Sequence, residues 1–591
     1  MAKKLPEVDV VLVGLGWTGG ILAKELSEAG LKVVALERGA PRTPQEDFSL
    51  PRIRDELRFS SRNDLTQNTQ RDTLTIRNNP SQEALPMRRL GSFLPGEGVG
   101  GAGAHWNGVT WRWNDTEFKI RSRYEERYGK KFIPEDMTIQ DWGITYAELE
   151  PYYEKFERTA AVSGKAGNLR GRIENGGNPF EGARNSEYPL PPLNQSLACD
   201  MFTAAAKDNG YHPFPRPVAN ASRAYTNPDG SKFGPCEYCG FCERFGCEAN
   251  AKGSPLITVI PIAMRNPNFE LRTHSWVTKV LKDPSGKKVT GVTYTNTLNG
   301  EEYEQPAGMV ALTAYAINNV HLMLLSGIGK PYDPVAQTGV VGKNYCYQTG
   351  AAATLFFEGR QFNPFMGTGG LNVGMDDFHY DWNFDRAPHG FIGGYNVAGG
   401  MTHGRPISYR PLPAGTPQWG KEWKAASAKW YNSAMIISSS GSVMANRYNY
   451  FELDPNYRNV FGAPLMRMTF DYKANEHRMG EHAANVINRI AKSMNPTLMN
   501  PATARTEPWS VVPYQSTHNT GGTIMGTNPG NSVVNKYCQS WDCHNLFVLG
   551  AGVFPHNSAY NPTGPVGALA YWTADAIKNR YLKNQAPLVS A

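Results

Sequence analysis

Long hydrophobic runs are absent from this sequence. No apolar stretch reaches the ~18–20 residues that a membrane-spanning helix needs, and the first residues lead directly into a short apolar strand without the hydrophobic region of a signal peptide. Lys and Arg form no basic tail or stripe, which argues against nucleic-acid binding. We therefore expect a protein that neither spans a membrane nor carries an export signal of its own.

Cysteine is scarce as well. The 8 cysteines in 591 residues are too few for a disulfide-stapled scaffold, and four of them fall between positions 236 and 247, which indicates a local site. The hydrophobic fraction of 40%, the charged fraction of 19% and the net charge of +7 are those of an ordinary globular protein. A chain of this length is expected to form about two to four domain-sized units.

An apolar strand, a glycine turn, a helical run and a second strand follow one another between Val8 and Glu37. Gly14 permits the tight turn, Gly16 allows close approach to a pyrophosphate, and Gly19 lets the helix lie on the strand. The helix N-terminus directs N–H groups and partial positive charge at phosphates. Glu37 lies 23 residues after Gly14, near the spacing of a carboxylate that binds a ribose hydroxyl. This unit predicts a dinucleotide site.

A second glycine-rich segment covers residues 90–108. So many glycines exclude a regular helix or strand, and permissive backbone suits close approach to a flat ligand. Its His105 and Trp106, with the Trp-Arg-Trp that follows, argue against a flexible linker.

Cys236, Cys239, Cys242 and Cys247 are separated by two, two and four residues. Four thiolates this close in sequence can surround one compact cluster, and the bacterial ferredoxin pattern differs only by a last gap of three and a following proline. Structural zinc sites usually use ligand pairs farther apart in sequence. No His follows the Cys-x-x-Cys, as a c-type haem would require. We predict an iron–sulfur cluster, with zinc, disulfides or free thiols as the alternatives.

The glycine turn, Glu37 and the Gly-Gly-x-x-x-His-x-Asn pattern at 100–107 together resemble the glucose–methanol–choline (GMC) family of FAD oxidoreductases. The resemblance implies an α/β fold, α+β as a whole, with a Rossmann-like FAD-binding domain and a substrate domain built on an antiparallel sheet. It assigns residues 1–115, 221–330 and 500–591, including the cysteine loop 234–250, to the FAD-binding domain, and 116–220 and 331–499 to the substrate-binding domain.

The resemblance also implies which residues contact FAD. In the family the glycine-rich segment packs against the isoalloxazine ring, and some members bind the flavin covalently through a histidine at the position of His105. A histidine that only forms hydrogen bonds near the flavin is the alternative. Where the family often has Asp-Ala-Ser, this chain has Gly-Ala-Gly at 550–552, so a contact from that acid is absent. The predicted FAD contacts are Gly14, Gly16, Trp17, Thr18, Gly19, Glu37, Arg38, Gly100, Gly101, Gly103, His105, Asn107, Gly108, Ala551, Gly552, Asn561, Pro562 and Thr563.

The C-terminal stretch resembles the catalytic end of the family, where a His precedes Gly-x-x-x-Met-Gly and a His or Asn stands just before Pro. On that match His518 is the base and Asn561 its partner. Alcohol oxidation requires the hydroxyl proton to leave, and a neutral imidazole is available near pH 7 to take it. Asn561 would orient the same oxygen. A packed loop histidine is the structural alternative for His518.

Within the family, the chain is similar to membrane-bound bacterial dehydrogenases of sugars and sugar acids. Their flavoprotein subunits carry a cysteine-rich loop with a cluster, of the 3Fe–4S rather than the 4Fe–4S type where characterised. Cys236, Cys242 and Cys247 match best as its three ligands, with Cys239 in doubt. The resemblance implies oxidation of D-gluconate to 2-keto-D-gluconate by hydride transfer to flavin N5, with electrons leaving through the cluster to a multihaem cytochrome c subunit.

That subgroup also implies a small subunit with an export signal and a location at the periplasmic face of the bacterial inner membrane. Without an exported partner the protein would be cytoplasmic. The alternatives are a related sugar, glucoside or polyol dehydrogenase acting on glucose, fructose or sorbitol, a soluble flavin oxidase, and a non-catalytic flavin electron-relay subunit.

Overall fold

The computed structural model describes residues 2–48, 65–239, 241–364, 371–401, 410–513 and 515–590. The helices are α1 (Trp17–Glu28), α2 (Pro44–Asp47), α3 (Asp115–Phe118), α4 (Ile120–Tyr128), α5 (Tyr146–Thr159), α6 (Leu197–Asp208), α7 (Val259–Ala263), α8 (Ala316–Ser326), α9 (Gly420–Trp430), α10 (Ala474–Ser493) and α11 (Thr563–Asn579). The strands are β1 (Lys3–Lys4), β2 (Val8–Val13), β3 (Val33–Leu36), β4 (Leu74–Arg77), β5 (Leu85–Pro86), β6 (Asn168–Leu169), β7 (Arg172–Ile173), β8 (Phe214–Pro215), β9 (Tyr225–Thr226), β10 (Lys232–Phe233), β11 (Phe269–Arg272), β12 (Ser275–Lys282), β13 (Val289–Asn296), β14 (Glu302–Leu312), β15 (Gln348–Thr349), β16 (Ala352–Phe356), β17 (Val373–Met375), β18 (Tyr395–Met401), β19 (Ala434–Ser442), β20 (Tyr450–Arg458), β21 (Pro464–Thr469), β22 (Leu498–Asn500) and β23 (Leu546–Val548).

An eight-stranded sheet carries the N-terminal unit, in the order β11-β3-β2-β14-β13-β12, with β1 and β23 also paired to β14. Strands β11, β3, β2, β14 and β23 run parallel, whereas β12, β13 and β14 form an antiparallel meander. The sequence predicts the meander and a separate strand from Met309. The structure joins them in one strand of 11 residues, because the chain does not turn between Glu302 and Leu312.

The chain turns tightly between β2 and α1 because residue 14 of the turn and residue 19 of α1 are both glycines. Gly14 has φ +94°, a conformation that L side chains rarely adopt. A Cβ on Gly19 would lie 2.2 Å from the carbonyl oxygen of Gly14, so α1 can approach the end of β2 only with glycine there. Val10, Val11 and Leu12 of β2 are completely buried, which anchors this unit in the core.

A seven-stranded antiparallel sheet forms the second large layer, in the order β22-β16-β19-β18-β17-β8 with β15 paired to β19. Helix α6 packs on β18, and α10 packs on β19. A smaller sheet has the order β20-β21-β4-β5. A parallel sheet with crossover helices beside an antiparallel sheet confirms the predicted fold class; the residue boundaries of the two domains stay a prediction.

Local sequence signals account for several helix ends. Thr145 and Glu148 form the capping box that starts α5, as the sequence predicts. Helix α8 ends at Gly327, which has φ +60°. The sequence predicts a helix from about Val566, whereas α11 begins at Thr563. Pro565 is tolerated in the first turn, because the backbone N–H that proline lacks would have no partner within the helix there.

Replacing Gly19 with Ala is expected to lower the free energy of unfolding by about 1–3 kcal/mol, because overpacking forces backbone shifts. The added Cβ would meet the Gly14 oxygen at 2.2 Å and push α1 away from β2. Gly480→Ala in α10 is the matched control, since the nearest atom to its Cβ lies at 3.8 Å, and it is expected to be neutral or to gain up to ~1 kcal/mol of helix propensity. Thermal denaturation measures both. Equal stability of the two variants would contradict the tight packing at Gly19.

Candidate active site

A cavity of about 950 Å³ is walled by residues of both large sheets, at the upper end of the roughly 300–1,000 Å³ typical of ligand pockets. Val13 and Thr313, at the carboxyl ends of β2 and β14, lie on its wall, as do Asn396 of β18 and Ser439 of β19. Open parallel sheets bind nucleotides outside the carboxyl ends of their strands. The cavity therefore occupies the place where the sequence predicts a dinucleotide.

Most residues predicted to contact FAD line this cavity. Those on its wall are Gly14, Gly16, Trp17, Thr18, Glu37, Arg38, Gly101, Gly103, His105, Asn107, Ala551, Asn561, Pro562 and Thr563. Gly19, Gly100, Gly108 and Gly552 are not among the lining residues. Gly19 instead packs α1 on the turn, and Gly108, with φ +90°, leaves room for the Asn220 amide. Which of the lining residues touch a flavin stays a prediction.

The two glycine segments contact each other beneath the cavity. The Gly100 N–H donates to the Leu15 oxygen at 2.8 Å, and a Cβ on Gly101 would lie 3.3 Å from Gly16 Cα. Trp17 packs beside them, and its buried Nε1 has no hydrogen-bond partner among the described residues. Buried donors are nearly always paired, so this cradle with an unpaired indole fits a bound flavin nucleotide.

Glu37 is buried at the end of β3 and holds three loops together. Its carboxylate accepts hydrogen bonds from the backbone N–H groups of Leu15 (3.0 Å), Gly39 (2.9 Å) and Gly98 (3.2 Å). Burial raises the pKa of the Glu37 carboxyl, and these N–H groups oppose that shift. A carboxylate offers about four lone-pair sites, so the predicted ribose contact remains compatible with this role.

His105 lies buried on the cavity wall. Burial, together with the positive charges of Lys252 and Arg42, lowers the pKa of His105 to about 4, which keeps the imidazole neutral. Its Nε2 has no hydrogen-bond partner within the described ranges. A neutral ring nitrogen without a partner suits either a covalent flavin tether or a hydrogen bond to the flavin, so both predictions stand.

His518 and Asn561, far apart in sequence, meet at the cavity. Asn561 Nδ2 lies 2.9 Å from His518 Nε2, and His518 Nδ1 lies 2.5 Å from Gln348 Oε1. Because a neutral imidazole has one donor and one acceptor nitrogen, this pattern assigns the proton to Nδ1 and the lone pair to Nε2. Burial and the charge of Arg216 lower the pKa of His518 to about 3, so Nε2 is unprotonated at neutral pH.

Two side chains that the sequence analysis missed fix this geometry. Trp111 Nε1 donates to Asn561 Oδ1 at 3.0 Å, which orients the Asn561 amide with its nitrogen towards His518. The Gln348 amide donates to the backbone oxygens of Ser558 (2.8 Å) and Tyr560 (2.9 Å), which leaves its oxygen facing His518. Trp111 belongs to the Trp-Arg-Trp noted in the sequence, whereas no local pattern distinguishes Gln348.

In the described residues, none of the four clustered cysteines takes part in a disulfide bond. Burial raises the pKa of the Cys236 thiol, and the negative charges of Cys242, Cys247 and Cys239 add to that rise, so the sulfurs lie within electrostatic range of one another. In the ranges that the structure describes, however, no three His, Cys, Asp or Glu side chains are arranged to hold a metal ion. The side-chain arrangement therefore does not support the predicted cluster.

Lys252 connects the cysteine loop to the predicted flavin segment. This buried ammonium donates to the backbone oxygens of Trp106, Cys242 (2.7 Å) and Phe245 (2.6 Å). The Arg244 N–H also donates to the His105 oxygen at 2.7 Å. The loop is thus fixed directly against the segment that carries His105.

In the part of the chain that the structure describes, each helix is too short or too polar to cross a lipid bilayer.

Comparison with known proteins gives two family matches. Residues 142–349 and 445–570 match the N-terminal and C-terminal models described as GMC oxidoreductase. The chain is 46% identical, over all of its own length and 97% of the relative's, to the gluconate 2-dehydrogenase flavoprotein of Pantoea cypripedii. It is 23% identical to the fructose dehydrogenase large subunit of Gluconobacter japonicus, with 98% of this chain and 99% of the relative covered.

A solved structure of formate oxidase from Aspergillus oryzae RIB40 has the same fold. It superposes with a TM-score of 0.60 over 99% of both chains, although only 13% of the residues are identical. This likeness extends to the arrangement of the sheets and carries no information on substrate.

The lowered pKa of His518 makes stability depend on pH. The unfolded histidine takes up a proton below its ordinary pKa of ~6.5, whereas the folded one does not until about pH 3. Stability is therefore lost as the pH falls through this window, by ~1.4 kcal/mol per pH unit for one such group. We expect His518→Gln to flatten the fall in melting temperature between about pH 6 and pH 5 relative to the parent protein. An identical slope in variant and parent would contradict a neutral, buried His518.

Proposed function

This chain belongs to the GMC oxidoreductase family, and we propose that it is the flavoprotein subunit of a dehydrogenase that oxidises D-gluconate to 2-keto-D-gluconate. The family makes it an FAD-dependent oxidoreductase acting on CH–OH donors. The observation that carries the substrate proposal is the 46% identity with a gluconate 2-dehydrogenase flavoprotein over the full length of this chain. The neutral His518 paired with Asn561 on the cavity wall supplies the matching chemistry.

FAD, bound along the glycine segments, would accept the electron pair of the substrate C–H bond. His518 Nε2 would take the proton of the substrate hydroxyl, because burial keeps that nitrogen unprotonated. Its single lone pair accepts a hydrogen bond from the Asn561 amide in this structure, so the Asn561 N–H would turn to the substrate oxygen when the substrate hydroxyl takes its place at Nε2. Gln348 holds the tautomer that presents the lone pair of Nε2. Positioned bases of this type contribute ~10²–10⁴-fold in rate.

The cysteine loop is proposed to hold an iron–sulfur cluster, of the 3Fe–4S type, through Cys236, Cys242 and Cys247. The spacing of the cysteines carries this proposal, since their side-chain arrangement does not. Two donors would suit cluster-bound sulfurs: Asn220 Nδ2 lies 3.4 Å from Cys242 Sγ, and the backbone nitrogen of Lys252 lies 3.4 Å from Cys247 Sγ. Hydrogen bonds to sulfur are a means by which proteins tune such clusters. The contact between the loop and the His105 segment would set the cluster beside the flavin.

Partner subunits follow from the same likeness. We infer a multihaem cytochrome c subunit as electron acceptor and a small subunit that carries the export signal, with this chain at the periplasmic face of the inner membrane. The relatives named as a flavoprotein and as a large subunit are consistent with a multi-subunit enzyme. The likeness to a fructose dehydrogenase large subunit favours a sugar or polyol dehydrogenase as the second candidate.

Anaerobic titration with D-gluconate is expected to bleach the flavin of the parent protein. In His518→Ala the flavin content should be unchanged and the rate of flavin reduction should fall by ~10²–10⁴-fold, because the hydroxyl proton loses its acceptor. His477→Ala, which removes a histidine from the surface of α10, is the control. Near-parental reduction by His518→Ala would remove the base assignment, and faster reduction by fructose or sorbitol than by gluconate would favour the second candidate.

Iron and inorganic sulfide should accompany the flavin in the purified protein. Cys242→Ser is expected to lose the iron, since a serine oxygen replaces a thiolate ligand, whereas Cys239→Ser should retain it. Cys543→Ser, outside the loop, controls for the loss of a thiol. Elemental analysis and visible absorbance provide the measurement. A protein with flavin absorbance and no iron would refute the cluster, and equal iron loss in Cys239→Ser and Cys242→Ser would refute the three-ligand form.

A further inference from the structure

Arg216 is a positive charge on the cavity wall that the proposed mechanism does not use. It follows β8 directly and lines the same cavity as His518. Its Nε is buried and has no hydrogen-bond partner among the described residues. Burial lowers the pKa of Arg216 to about 10, and the negative charges of Asp376 and Cys199 only partly oppose that shift. A guanidinium in this position favours an anion close to it.

Asp376 does not fully supply that anion, because its charge offsets only part of the effect of burial on Arg216 and its carboxylate already accepts three hydrogen bonds from other side chains. It is completely buried and accepts hydrogen bonds from Asn178 Nδ2 (2.5 Å), Asn396 Nδ2 (2.9 Å) and the Tyr560 hydroxyl. Arg38, another arginine of the cavity wall, does have carboxylates close to it. Its guanidinium lies 3.8 Å from Asp72 and 3.6 Å from Glu97.

Trp111 links Arg216 to the catalytic pair. The Arg216 guanidinium carbon lies 5.6 Å from the centre of the Trp111 ring, and Nε1 of the same ring donates to Asn561, which contacts His518. Trp111 is itself held by a parallel stack on Tyr560, with ring centres 4.2 Å apart. Arg216 and His518 thus lie on one wall and are linked through Trp111 and Asn561, and the charge of Arg216 reaches the His518 ring.

We propose that Arg216 binds the carboxylate of the substrate and thereby selects which hydroxyl faces His518. The proposal rests on the proposed function and deepens it by naming the anion-binding residue. A guanidinium pairs with a carboxylate through two parallel hydrogen bonds, which fixes orientation as well as position. In an aldonic acid the carboxylate is C1, and the neighbouring carbon is C2. Holding C1 at Arg216 therefore presents the C2 hydroxyl to His518, which explains why a 2-keto acid is the product.

The test compares D-gluconate with D-gluconamide, which has the same shape without the charge. In Arg216→Gln we expect the KM for gluconate to rise by roughly 10- to 100-fold, as expected when a hydrogen-bonded ion pair is lost, while kcat/KM for gluconamide falls by no more than about threefold. Arg216→Lys keeps the charge without the planar fork and should recover part of the affinity. Flavin content and melting temperature report whether each variant is folded. Equal losses on both substrates would overturn the proposal, since Arg216 would then act on the flavin or on folding.

A binding measurement separates this proposal from the proposed function. 2-Deoxy-D-gluconate retains the carboxylate and lacks the C2 hydroxyl, so its binding can be followed by the flavin spectrum without turnover. We expect weaker binding in Arg216→Gln and Arg216→Lys than in the parent. If Arg216 governs this binding but gluconate is not oxidised, the proposed function fails and the anion site stands. Arg505 is an exposed arginine of the same cavity. If gluconate is oxidised and Arg505→Gln, rather than Arg216→Gln, weakens the binding of 2-deoxy-D-gluconate, the assignment to Arg216 is wrong.

Discussion

The site depends on an amide group that is held in one orientation. Gln348 donates through its nitrogen to the backbone oxygens of Ser558 and Tyr560, so its oxygen faces His518 Nδ1. Turning the amide over would unpair buried groups at a cost of about 1–3 kcal/mol each. The loop that precedes Asn561 therefore determines the tautomer of His518 through a side chain of β15. The backbone oxygens of Ser558 and Tyr560 and the side chain of Gln348 are therefore both needed to keep the lone pair on His518 Nε2.

A buried lysine plays the corresponding part for the cysteine loop. Burial lowers the pKa of Lys252, and the negative charges of Cys242 and Cys247 oppose that shift. Neutral thiols would leave the ammonium with carbonyl oxygens and the charge of Glu243, whereas thiolates bound to a cluster would add to that balance. The same lysine holds the Trp106 oxygen, so this side chain links the electrostatic balance of the loop to its contact with the predicted flavin segment.

Features that depend on a few neighbouring residues were predictable from the sequence. The glycine turn at 14–19 and the capping box at Thr145 follow from local backbone chemistry, and family resemblance led to His518 and Asn561. Contacts between distant residues were not predictable in this way. Gln348 and His518 are 170 residues apart, and Trp111 and Asn561 are 450 apart. Arg216 stands in a plain Pro-Arg-Pro stretch, where nothing in the sequence indicates that its Nε finds no hydrogen-bond partner among the described residues.

Arg216 also contributes to the electrostatics of His518. A base with a pKa of about 3 is neutral at every physiological pH but takes up a proton weakly, since general bases work best with a pKa near the operating pH. Arg216 is one cause of that low pKa, after burial. A carboxylate bound to Arg216 would cancel the repulsion between the guanidinium and a protonated His518. An anionic substrate would therefore strengthen the base that acts on it, whereas a neutral sugar in the same cavity would meet a weaker one.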